Sequence, residues 1–325
     1  MPLPADQQGI MVRLSRCLPV GAPLDAYVVE KILGGGGFGI VYLAQEPVTH
    51  QRVVIKEYMP HKLARRLPNQ EVTPLDDERK EIYHQGRKLF INEASALANL
   101  KHPNIVDVVN FFQAYGTVYM VMKYESGTNL QDYIKTRGGG LSEVFLRTVF
   151  PPLLDGLKAI HARGLLHLDI KPGNVHLRRG GRPLLLDFGA VHTMNLTRRN
   201  QTRQVVTSGF SPTEQYDLSG YVGPWTDIYA LGATMRACIE GCAPPPAPKR
   251  LEKETLRPAR IVHKKRYSAP LLEAIDWAME LDPLLRPQSV DELMLRFEIE
   301  LPELPATETK DTVLEKWASH LRWKR

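Results

Sequence analysis

The stretch LLHLDIKPGNVHL (residues 165–177) sets Asp169, Lys171 and Asn174 at fixed offsets between two apolar runs. Buried carboxylates and ammonium groups are costly unless paired, liganded or used. These three residues therefore either solve a local packing problem or meet a charged ligand. Taken singly, Asp169 reads as a turn cap and Asn174 as the residue that closes the turn.

A second carboxylate changes the balance. In LLLDFGA (184–190), Asp187 leaves an apolar run and is followed at once by a turn with Gly189. Mg²⁺ is held by one or two carboxylate or amide oxygens together with phosphate oxygens. Asn174 and Asp187 supply such a set. Asp169 is then left to accept a proton from a hydroxyl, and Lys171 to neutralise a transferring phosphoryl group.

The N-terminal third carries matching features. In LGGGGFGIVYLA, Gly34, Gly36 and Gly39 fit G-x-G-x-x-G, with Val41 following. The glycines lie between two strand patterns rather than between a strand and a helix, which disfavours a dinucleotide-binding turn. A glycine loop inside a hairpin can lay its backbone N–H groups over phosphates, because no side chain blocks the approach. Lys56 follows on the next strand-like run, RVVIKEY, and Glu93 lies in a helical pattern. A lone strand lysine would simply face solvent. Held by Glu93, its ammonium could pair phosphates under the glycine loop.

The whole chain frames these motifs. Its 325 residues are 43% hydrophobic and 24% charged, an ordinary globular composition with room for one large or two modest domains. It has no apolar run of transmembrane length and no secretory h-region, and a reducing cytoplasm is the default. The net charge of +6 is dispersed in short clusters with no nucleic-acid-binding module. Cys238 and Cys242 are spaced as on one helix face, but no second pair completes a zinc site, so buried thiols are expected. Residues 1–26 read as a loose leader. Short strand patterns follow up to residue 123, interrupted by a polar, proline-containing loop or insertion over 59–80. RKLFINEASALANL (87–100) has helical spacing. The remainder is mainly helical, with Leu141, Phe145, Leu153, Leu157 and Ile160 as core positions. A tail helix is expected after Thr312, where Glu315 gives capping-box spacing and Leu314, Trp317 and Leu321 share a face.

Taken in order, GGGGFGIV, VVIK, Glu93, HLDIKPGN and DFG resemble the protein kinase signature, most closely that of the bacterial eukaryotic-like Ser/Thr protein kinases. The resemblance covers about residues 27–297. It implies an α+β, bilobal fold: a small antiparallel β lobe with one main helix over 27–122, and a large mainly helical lobe over 123–300. The hinge falls at 123–127, the activation segment at 187–214, and a tail at 301–325.

The resemblance also implies roles. Gly34, Gly36, Gly39 and Val41 cover ATP. Lys56 pairs its α- and β-phosphates and is held by Glu93. Met122 guards the adenine pocket, and Lys123, Tyr124 and Glu125 read the base. Asp169 orients and deprotonates the acceptor hydroxyl, while Asn174 and Asp187 ligate Mg²⁺. Thr207 contacts the catalytic aspartate, Asp227 anchors its loop, and Glu214 pairs with Arg286. His167 joins a spine with Phe188 and Leu97. Lys171 favours Ser/Thr over Tyr acceptors in protein substrates.

Three departures stand out. Leu168 occupies the place of an arginine that usually receives activation-loop phosphate, and leucine cannot donate to phosphate. SPT replaces the start of A-P-E. The connection between Lys56 and Glu93 is long, and residues 59–88 or the C-terminal helix are candidate surfaces for a regulatory partner. A pseudokinase scaffold would have lost Lys56, Asp169 or Asp187. A small-molecule kinase would generally lack DFG and the Glu214–Arg286 pair.

Overall fold

The computed structural model describes residues 16–37, 39–186, 192–193, 206–217 and 220–298. The chain forms two compact units: one runs to Lys101 and takes in Asp107–Tyr124, the other takes His102–Val106 and everything from Glu125. The division thus falls after Tyr124, and the short segment 102–106 belongs with the second unit.

In the first unit, β1 (Pro23–Leu24), β2 (Tyr27–Gly35), β3 (Gly39–Gln45) and β4 (Arg52–Tyr58) form an antiparallel sheet with β7 (Val108–Ala114) and β8 (Thr117–Lys123). The strand order is β1–β2–β3–β4–β8–β7. β-Branched and aromatic residues suit this pleated surface, and alternation gives it two faces. Ile55, Tyr42, Val121 and Tyr119 are buried within it. Helix α1 (Asp77–Ala98) packs Tyr83, Phe90, Ala94 and Leu97 inward.

Two expectations for this unit are corrected. The segment read as a loop or insertion over 59–80 contains an antiparallel hairpin, β5 (Ala64–Arg66) with β6 (Val72–Pro74). The helix expected at residue 87 begins at Asp77, ten residues earlier. Its N-cap, Asp76, accepts a hydrogen bond from the Arg79 N–H, and Asp77 and Glu78 sit favourably in the first turn. The polar first turns hide this start from a hydrophobic pattern. Before β2, Leu18 and Leu24 are fully buried.

The second unit is mainly helical. After β9 (Gly127–Asn129) come α2 (Leu130–Arg137) and α3 (Glu143–His161), whose inner face buries Phe145, Leu153, Leu157 and Ile160. β10 (Leu165–Leu166) pairs with β13 (His192–Thr193), and β11 (Val175–Arg178) lies between β12 (Pro183–Leu185) and β9. Then follow α4 (Thr213–Tyr216), α5 (Pro224–Glu240), α6 (Ala247–Glu252), α7 (Ala259–Val262), α8 (Ala269–Ala278) and α9 (Val290–Glu298). Helix α5 is buried nearly throughout. Cys238 lies inside it, but Gly241 ends the helix in a left-handed conformation and leaves Cys242 exposed. The two thiols therefore do not share a buried helix face. Among the described residues, no helix is long and apolar enough to cross a membrane.

Candidate active site

The glycine loop is built by strand pairing. β2 and β3 pair, with register shifts between Val29 and Lys31 and between Ile32 and Gly34, as far as Gly34 opposite Val41 and Gly35 opposite Ile40, and the Gly36 N–H donates to the Gly39 carbonyl at 2.8 Å. A Cβ at position 39 would overlap the Glu57 carbonyl, so the strand beside it demands glycine there. Lys56 lies opposite Val41 on one side and Met120 on the other, and it is largely buried. Its Nζ lies 4.0 Å from Glu93 Oε1 and 5.7 Å from the centre of the Phe90 ring. Met122 is buried on β8, Lys123 ends that strand, and Tyr124 closes the first unit.

The second unit gathers Asp169, Lys171, Asn174 and Thr207. Lys171 Nζ donates to both Asp169 carboxylate oxygens, at 2.9 and 2.7 Å, and to Thr207 Oγ1 at 3.1 Å. Thr207 Oγ1 in turn donates to Asp169 Oδ1 at 2.7 Å. Asn174 Nδ2 donates to the Asp169 carbonyl and to Oδ2, at 2.8 and 3.0 Å. The amide nitrogen is thus used inward, and the Asn174 Oδ1 remains as an acceptor for a cation. That donor chemistry fits Mg²⁺. Asp187 lies outside the described residues, as do Phe188 and the tail helix. Among the described residues, no cluster of three His, Cys, Asp or Glu side chains could hold a metal.

The loop bearing Asp169 is fixed from beneath. Asp227 on α5 is fully buried and accepts from the His167 N–H at 2.9 Å, the Leu168 N–H at 2.7 Å and His161 Nε2 at 2.8 Å. Burial alone would raise its carboxyl, but the hydrogen bond and charge of His161, with His167, hold it below its ordinary value. Leu168 adopts φ +58°, a left-handed conformation unfavourable for a branched residue. The Asp227 bond holds its N–H, and Gln215 Nε2 donates to its carbonyl at 2.8 Å. Its side chain is 3% exposed and packs with Leu166 and Val222.

His167 links this loop to the strand end before Asp187. The Asp169 N–H donates to His167 Nδ1 at 3.3 Å, which makes Nδ1 the acceptor and leaves Nε2–H to donate to the Leu186 carbonyl at 3.1 Å. The Leu186 N–H donates to the Asn174 carbonyl at 2.8 Å. Glu214 and Arg286 form a buried pair, and Thr226 Oγ1 also donates to Glu214. The sequence reading missed Gln215, Thr226 and His161, whose parts depend on partners far away in sequence.

Comparison with known proteins agrees with this geometry. The protein kinase domain family matches residues 27–295. The chain is 30% identical to the serine/threonine-protein kinase PknA of Nostoc, over 87% of this chain and 49% of that protein. It is also 30% identical to serine/threonine-protein kinase D of Synechocystis, over 82% of this chain and 51% of the relative. It therefore spans about half the length of these curated relatives. A solved structure described as the apo form of PpkA-294 shares 34% identity with a TM-score of 0.76, covering 87% of this chain and all of that one. A sheet unit with one long helix, a helical unit organised on a buried aspartate, and a family match across both place the chain in the protein kinase domain family.

Proposed function

We propose that the chain transfers the γ-phosphoryl group of ATP to Ser and Thr hydroxyls of proteins, itself among them. The observation that carries this reading is the Asp169, Lys171, Asn174 and Thr207 cluster on a loop anchored by Asp227. Gly34, Gly36, Gly39 and Val41 would cover the nucleotide, and Lys56, oriented by Glu93, would hold the α- and β-phosphates. Met122, Lys123, Tyr124 and Glu125 would line the adenine pocket. Asn174 and Asp187 would hold Mg²⁺, which when bound neutralises phosphate charge.

In the reaction, Asp169 aligns the acceptor hydroxyl and takes its proton. The hydroxyl oxygen bonds to the γ-phosphorus as the bond to the bridging oxygen breaks and ADP leaves. Lys171 offsets the charge on the transferring group. Catalysis is then mainly positioning and charge stabilisation. Leu168, packed with Leu166 and Val222, supports activity that is independent of activation-loop phosphate acting at this position. The reaction belongs in the cytoplasm, where ATP is supplied. A regulatory partner would reach the protein through the outer surface of residues 59–88 or the C-terminal segment.

Labelled ATP with Mg²⁺ and mixed protein substrates tests the proposal, comparing wild type with Asp169→Asn. Label on Ser and Thr in the wild type alone is the result expected. Nucleotide binding without transfer would instead favour a scaffold, although Lys56, Glu93, Asp169, Asn174 and Asp187 are all retained.

A further inference from the structure

Strand β4 presents consecutive residues to opposite faces of its sheet. Lys56 faces α1, where it meets Glu93 and Phe90. Glu57 faces the other way and is 0% exposed. Its carboxylate accepts from Tyr42 Oη at 2.7 Å, from Tyr119 Oη at 2.5 Å and from Arg66 Nη2 at 2.5 Å. Arg66 belongs to β5. Its Nε donates to the Arg16 carbonyl at 2.8 Å and its Nη1 to the Gln70 carbonyl at 2.7 Å. The Leu18 N–H closes the network on Tyr42 Oη at 3.0 Å. One guanidinium thus fastens the hairpin, the N-terminal segment and β4 together.

The other side of the hairpin is tied to the β7–β8 turn and runs directly into α1. The Val72 N–H donates to the Tyr115 carbonyl at 2.8 Å, and the Leu75 N–H to the Leu63 carbonyl at 2.9 Å. Asp76, the next residue, is the helix cap. Further along α1, Tyr83 Oη donates to the Gly116 carbonyl at 3.0 Å and Arg87 Nη2 to Gln113 Oε1 at 3.1 Å. Gly86 lies against the Tyr58 ring so closely that any Cβ would overlap the phenol. Tyr58 is two residues beyond Lys56, and its ring centre lies 5.7 Å from that of Tyr83 and 5.8 Å from that of Phe90. A buried network of this kind acts as a unit, because losing one member strands the others without partners.

We propose that the β5–β6 hairpin is a built-in brace: Arg66 holds Glu57 on β4, and the neighbouring Tyr58 holds Gly86, so that α1, and hence Glu93, is fixed toward Lys56. The proposal rests on the roles given above to Lys56 and Glu93. It makes Arg66, Glu57, Tyr58 and Gly86 positioning residues, not catalytic ones.

The test compares Arg66→Ala, the milder Arg66→Lys, and Gly86→Ala, each in wild-type and Glu93→Gln backgrounds, with melting temperatures recorded as a check on folding. Amide exchange across residues 77–98 is measured together with phosphotransfer. The brace predicts that Arg66→Ala and Gly86→Ala speed exchange in α1 about tenfold and lower kcat about tenfold with little change in KM for ATP. Arg66→Lys, which keeps a cation for Glu57, recovers part of both. In the Glu93→Gln background, the further loss of kcat shrinks to less than about twofold, since the two changes act through one pair. Unchanged exchange in α1 overturns the brace, as does an equal loss of kcat in both backgrounds. If the wild type transfers no phosphate, the kinase reading fails, while exchange around Glu93 still decides whether the hairpin holds the helix.

Discussion

Arg286 sets its two terminal nitrogens on the two carboxylate oxygens of Glu214, at 2.7 and 3.1 Å, across 72 residues of sequence. The guanidinium also donates to the Glu280 and Leu281 carbonyls and lies 4.9 Å from the centre of the Tyr229 ring. Every part of this planar group is used, which a lysine ammonium could not reproduce. Arg286→Ala should cost about 3–5 kcal/mol of stability, because it leaves Glu214 buried without its charge partner. Denaturant unfolding measures this, and a loss below about 1 kcal/mol would contradict the burial argument.

Thr207 should matter to turnover more than to folding. Its hydroxyl joins Asp169 to Lys171. Thr207→Ala should lower kcat about tenfold or more with KM for ATP nearly unchanged, and Thr207→Ser should restore most of it. Steady-state kinetics of the two variants provide the comparison. A failure of serine to rescue would show that the methyl group, not the hydroxyl, is what counts.

Loop phosphorylation should be dispensable. Changing Thr193, Thr197, Thr202 and Ser208 together to alanine should leave much of the turnover intact, because position 168 offers no donor to phosphate. Near-total loss of phosphotransfer in that variant refutes the expectation. Conversely, Leu168→Arg should destabilise the fold by about 2–4 kcal/mol, since it drives an unpaired guanidinium among Leu166 and Val222.

The acid side of the stability curve should report on Asp227. Its folded carboxyl titrates below its ordinary value of 3.8, so it contributes stability above that pH. This contribution is lost as the pH falls through the lower, folded value. Asp227→Asn should therefore be less stable than wild type at neutral pH, with a gap that narrows in acid. Urea unfolding at a series of pH values would show the two curves converging; parallel curves would rule the linkage out.

Much of this was legible in the sequence where function and local pattern coincide. HLDIKPGN and the glycine loop announce themselves because phosphate and proton chemistry tolerate few residue types at those offsets. Asp227, Thr207 and the Glu214–Arg286 pair followed from the family resemblance, and the geometry gives each its partner. The hairpin at 64–74 escaped notice because its strands are three residues long and carry Arg65, Arg66 and Pro74 rather than an alternating apolar pattern. The first ten residues of α1 escaped for a related reason. Their signal is Asp76 as a cap and Tyr83 and Gly86 as contacts with the sheet, not a stripe of aliphatics. Glu57 was passed over beside Lys56, because nothing local reveals that a strand glutamate faces two tyrosines and an arginine.

Leu168 carries a consequence for how such an enzyme could be silenced. With an apolar side chain at position 168, a phosphatase stripping the loop would find no phosphate contact at this position to release. Shutting the reaction down would fall to other means: withholding substrate, degrading the protein, or prising its bracing hairpin away from the sheet.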